Sequence, residues 1–63
     1  MGTSYEEIAL LEQEFDRQCE ERGVRWLSEE VRQESLNEFI LEYECGNEKP
    51  EVMLLDYGYY IKK

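Results

Sequence analysis

The sequence predicts an α+β fold, a two-helix hairpin followed by a C-terminal β-hairpin, and three observations lead there. Residues 5–22 carry an apolar stripe at helical spacing between a capping serine and a glycine. "SEEVRQES" has the form of a second helix start. The closing stretches "FILEYEC" and "EVMLLDYGYYI" read as strands around the turn-forming "GNEKP". With 63 residues the chain is a single small domain, residues 1–63. A chain of this size buries only about 60% of its unfolded surface, so it has little stability in reserve.

The first helix is the clearest element. Ser4 followed by Glu7 is a capping-box pattern. Ile8, Leu11, Phe15 and Cys19 then fall within about 80° on a helical wheel, the width of a core-facing stripe. Arg22 suits the negative end of the helix, Gly23 reads as its stop, and Val24 is placed for the accompanying apolar contact. In the second helix, Ser28 is a good N-cap, with Glu29 and Glu30 in the first turn. Trp26 lies between the helices, either as a lid on the core or as an anchor for a partner.

Residues 38–45 admit two readings. A helix running unbroken to Cys45 would put Leu27, Val31, Leu41 and Cys45 on one side. Leu36, Phe39, Ile40 and Tyr43 would lie nearly opposite. Such a helix has to be sandwiched. A helix ending near Leu36 lets "FILEYEC" alternate instead, pairing residues 38–45 with 52–60. In that register Tyr43 meets Met53, Leu41 meets Leu55 and Phe39 meets Tyr57. The expected core is then Ile8, Leu11, Phe15, Leu36, Phe39, Leu41, Met53 and Leu55. The all-α alternative, a three-helix bundle, draws on the helix propensity of "ESLNEFILEYE" and on Pro50 as a first helical residue.

Catalytic constellations do not emerge. There is no histidine to serve as a base, and Lys49, Lys62 and Lys63 sit in a turn or at the chain end. Asp56, an acid inside an apolar run, reads as the outward side chain of a strand. Cys19 and Cys45 without histidine do not make a closed zinc site, and no phosphate or calcium loop appears. The expectation is a non-enzyme without cofactor or metal. No stretch has the length of a membrane span or a secretory signal, and Gly2 lacks the context for myristoylation. The expected compartment is the cytoplasm, with both cysteines reduced.

Charge carries the functional hint. Sixteen acids face seven bases, a net charge of −9, which argues against direct binding of nucleic acid or an anionic membrane. It favours a basic protein surface as partner. Glu7, Glu14 and Glu21 recur every seven residues on the first helix, and Glu30, Glu34 and Glu38 follow one another at single-turn spacing on the second. Like charges so spaced repel by a few tenths of a kcal/mol per pair. A row of carboxylates can occupy a groove built for phosphates, because both offer oxygen acceptors to Lys and Arg.

In charge and size the chain is similar to small acidic inhibitors that mimic DNA and to acidic antitoxins of bacteria and phage. The expected function is therefore a protein-binding inhibitor. It would dock Glu7, Glu14, Glu21, Glu30 and Glu34 on a nucleic-acid-handling partner, with Trp26, Tyr57 or Tyr59 as an apolar anchor. The alternative is a self-associating adaptor, a homodimer built on Tyr57, Tyr59, Tyr60 and an exposed strand edge.

Overall fold

The computed structural model describes residues 4–54 and 57–62. Gly2, Leu55, Asp56 and Lys63 lie outside the described residues, and so do the expectations placed on them. The chain is α+β: α1 (Tyr5–Arg22), β1 (Val24–Trp26), α2 (Glu29–Glu44) and β2 (Tyr59–Ile61). The two helices and an antiparallel two-stranded sheet are the expected ingredients; the strands are drawn from different residues than expected.

α1 begins directly after Ser4, which is itself extended, φ −69° and ψ 162°. Its hydroxyl oxygen accepts the Glu7 amide at 3.2 Å while the hydroxyl proton goes to the Glu7 carboxylate at 3.1 Å. Leu11, Phe15 and Cys19 are buried, and Ile8 is half-buried at the end of the stripe. Gly23 ends the helix in the left-handed conformation, φ 73°, its amide turned back to the carbonyls of Cys19 and Glu20. That glycine does a second job. Its carbonyl accepts the Lys62 amide at 2.7 Å, and a Cβ there would collide with the Lys62 carbonyl oxygen. The C-terminal strand can approach only because the helix stop has no side chain.

The strand partner of the C-terminal segment is "VRW" rather than "FILEYEC". Val24 lies opposite Ile61, Arg25 opposite Tyr60 and Trp26 opposite Tyr59. The Leu27 amide, bonded to the Gly58 carbonyl at 2.9 Å, closes the far end. Gly58 has φ 84°, and a Cβ on it would stand 2.6 Å from a methyl of Val31. Here too a bare backbone is required, this time to lie against α2.

α2 is continuous from Glu29 to Glu44, which corrects the expected strand over residues 38–45 and its pairing with 52–60. Two physical reasons decide it. Local helix propensity is strong in this glutamate-rich stretch. The second apolar side is also not sandwiched: Leu41 is 51% exposed, Leu27 is 66% exposed and Cys45 is exposed, while Val31 receives Gly58. The molecule leaves that side partly in water and buries the other, with Leu36 and Phe39 in the core and Ile40 and Tyr43 against it.

The core closes differently as a consequence. Met53 is 46% exposed, whereas its neighbours Val52 and Leu54 point inward. A one-residue slip in a period of two exchanges every inward and outward side chain. Residues 50–54 belong to no sheet, and side chains of α1 bond their backbone instead of a partner strand. The Gln18 amide donates to the Pro50 carbonyl at 3.1 Å, and its oxygen accepts the Val52 amide at 3.0 Å. Arg22 then donates to the Val52 carbonyl at 3.2 Å. These bonds meet the demand of backbone polar groups for partners.

Phe15 is the hub. Trp26 stacks on it with ring centroids 6.0 Å apart, Phe39 meets it edge-on at 5.5 Å, and Tyr59 meets the outer side of Trp26 at 6.1 Å. Trp26 is thus the lid over the helix–helix corner. Ser35 is fully buried in α2, its hydroxyl without a hydrogen-bond partner among the described residues.

Candidate functional site

The two glutamate rows differ in their surroundings. On α1, Arg17 stands one turn from both Glu14 and Glu21 and forms ion pairs with each. The Arg17 bonds, followed by the Gln18 amide at 3.0 Å, hold the Glu14 carboxyl below its usual range. Glu7 takes the Tyr43 hydroxyl proton at 3.0 Å, and this bond, with the charge of Glu7 and then of Glu48, pushes the phenol up. Each glutamate of the α1 row therefore has a partner in the fold, but only Glu14 and Glu21 have a cation.

On α2, Glu30, Glu34 and Glu38 are exposed and have no ion pair or hydrogen bond among the described residues. The nearby cation points away from them. Arg32, with a side chain only 19% exposed, reaches Asp16 at 2.8 Å, Glu12 at 3.0 Å and Glu29 at 3.2 Å. Its guanidinium also lies 5.8 Å from the centre of the Phe15 ring. The bond to Asp16 most of all raises its pKa further, so Arg32 stays charged and clasps α1 to α2.

Three hollows connect the rows. The first, about 500 Å³, runs beside α1 and is lined by Glu7, Leu10, Leu11, Glu14, Arg17, Tyr43, Glu48, Lys49 and Pro50. The second, about 470 Å³, lies over the turn and is lined by Glu42, Asn47, Lys49, Glu51, Val52 and Met53. The third, about 280 Å³, lies against α2 and is lined by Glu34, Asn37, Glu38 and Met53. Lys49 belongs to the first and second, and Met53 to the second and third. The hollows therefore follow one another along residues 48–53. Seven glutamates line this track, against Arg17 and Lys49 as its cations.

Of the residues expected to bind a partner, Glu7, Glu14 and Glu34 line this track. Glu21 is held by Arg17 beyond it, and Glu30 is exposed on the first turn of α2. Trp26 and Tyr59 are packed on each other at the sheet, while Tyr57 is exposed. Leu10, Tyr43, Glu48 and Met53 escaped the sequence reading as site residues. The one signal for Leu10 was its position off the core stripe; the others join the site only when residues 48–53 fold back between the helices.

The arrangement offers carboxylates and apolar patches. The Cys19 thiol is pushed up by burial, which makes it a poor nucleophile. No cluster of potential metal ligands occurs among the described residues. Among them, too, no helix is long and apolar enough to cross a membrane. Comparison with known protein families, with curated proteins and with solved structures finds no match to this chain.

Proposed function

We propose that this protein is a non-enzymatic binding module that docks an acidic face on a basic, nucleic-acid-handling protein and blocks it. The observation that supports the reading is the track of hollows along residues 48–53, with seven glutamates in its lining and apolar side chains between them. Five of the seven, all but Glu14 and Glu51, have no cation partner among the described residues and stand ready for Lys and Arg that otherwise hold phosphates. Exposed pairs contribute only about 0–1 kcal/mol each, so the acids act together and apolar contacts supply tightness. Leu10 and Met53 are placed to make those contacts. The cytoplasm is the setting that suits it, since the exposed Cys45 stays reduced there.

The test is capture of the partner from host lysate, followed by association kinetics across salt. Replacing Glu30, Glu34 and Glu38 with Gln is expected to slow association several-fold and to flatten its salt dependence. Nucleic acid that binds the partner is expected to compete. Parental rates and salt slope in the triple variant, with no competition by nucleic acid, would sink the reading.

A second reading, a homodimer, has its own support in the exposed Tyr57, Tyr60 and Ile61 around β2. Sedimentation over a wide concentration range distinguishes it. A species that stays at 7.6 kDa at high concentration and moderate salt removes it.

A further inference from the structure

The hollow beside α1 has a chemistry narrower than acidity. Its apolar lining is Leu11, Pro50, Tyr43 and Leu10, a leucine left 64% exposed on a helix surface. Its charged lining is Glu7, Glu14 and Glu48 with Arg17 and Lys49, the last without an ion pair among the described residues. Arg17 is occupied by Glu14 and Glu21, but Glu7 receives only hydroxyl protons, from Ser4 and Tyr43. Glu48 has no ion pair among the described residues. Three glutamates face two cations in the lining, so the hollow is net negative. Its volume of about 500 Å³ suits a small ligand or a single long side chain.

We propose that this hollow receives an arginine side chain of the protein partner, its aliphatic stem on Leu10, Leu11 and Pro50 and its guanidinium between Glu7 and Glu48 over Tyr43. The inference rests on the reading of the chain as a module for basic proteins and names the group that enters. A long cationic side chain covers apolar surface with its methylenes while the charged end stays at the rim. Arginine fits better than lysine because its planar, weakly hydrated guanidinium stacks on an aromatic face and forks onto carboxylates. Gln18 acts as a positioning residue: it bonds the Pro50 carbonyl and the Val52 amide and so holds Pro50, which lines the hollow, against α1.

The experiment is amide-shift mapping of the whole chain with three acetylated, amidated hexapeptides. They alternate glycine with arginine, with lysine, or with citrulline, the neutral isostere of arginine. The arginine peptide is expected to move the amides of Glu7, Leu10, Tyr43 and Glu48, and to bind at least fivefold tighter than the other two. Changing Glu7 and Glu48 together to Gln is expected to reduce its affinity to that of the citrulline peptide. Leu10→Ser, at an exposed position that leaves the fold intact, is expected to weaken it several-fold. Citrulline or lysine peptides binding equally well at these amides would overturn the proposal. Shifts confined to Glu34, Glu38 and Met53 would overturn it too, while leaving the basic-partner reading standing. No binding of any basic peptide, together with a partner whose association ignores salt, would remove both.

Discussion

Glu14 and Glu21 on α1 share one guanidinium, whereas Glu30, Glu34 and Glu38 on α2 have no cation partner among the described residues. Both rows look alike as spacing on a helix. What separates them is where each helix keeps its arginine. Arg17 lies on the same face as its glutamates, three residues after Glu14 and four before Glu21, the separations at which helix side chains meet. Arg32 sits on the flank of α2 that faces α1 and spends its charge on Glu12, Asp16 and Glu29. Glu14 and Glu21 thus spend their charge within the fold, whereas Glu7 and the α2 row have no cation partner among the described residues. Counting acids per helix misses this distinction, because binding capacity belongs to the charges that the fold does not use.

Both rows ride on one core whose hub is Phe15, so Phe15→Ala is expected to cost about 3–5 kcal/mol. At about 0.05–0.15 kcal/mol per residue the whole domain holds roughly 3–9 kcal/mol, so the change removes about a third of it or more. A large drop in melting temperature, followed by helical circular dichroism, is the check. A variant that melts like the parent would mean that the rows do not share this support.

Arg32 ties α2 to α1. If this residue is a clasp, Arg32→Ala is expected to destabilise by about 1–2 kcal/mol, since bonds to charged groups count for more but these carboxylates are partly in water. Arg32→Lys should recover less than half, because one ammonium cannot serve carboxylates on two helices as a planar fork does. Urea unfolding measures both. Equal stability of the alanine variant and the parent would place Arg32 among the solvated charges.

The smallest effects bear most directly on the two rows. Glu14 has its pKa lowered by Arg17 and then Gln18, so its stabilising contribution is present above its ordinary 4.5 and is lost as pH falls through the lowered value. Glu14→Gln is expected to lower the melting temperature at pH 7 and to reduce the drop seen on acidification. Replacing Glu34 and Glu38, which lie beyond the first turn of α2, with Gln should instead raise stability by roughly 0.2–0.5 kcal/mol per relieved pair. Melting curves at pH 7 and pH 3 separate the two outcomes. If the α2 variant loses stability at pH 7, its row has structural partners and the contrast fails.

The sequence by itself determined the elements whose signals are local. Ser4 and Ser28 cap because a hydroxyl can take an amide two or three residues on, and Gly23 stops α1 because it enters the left-handed region without strain. The buried stripe of α1 and the net charge were legible for the same reason: helical spacing and composition need no knowledge of distant residues. Only the tertiary structure decided what residues 38–61 do. "FILEYEC" fits a strand count and a helix count equally, and the choice depended on whether Leu41 and Cys45 could remain in water. "VRW" was too short to announce itself as a strand, and it became one because Gly23 and Gly58 let the chain end lie close beside it. The site had the same origin. Its glutamates were visible in the sequence, but which of them stay unpaired followed from the directions taken by Arg17 and Arg32. The hollows between the rows exist because Gln18 and Arg22 of α1 hold residues 50–52 by their backbone, contacts that span thirty residues or more along the chain.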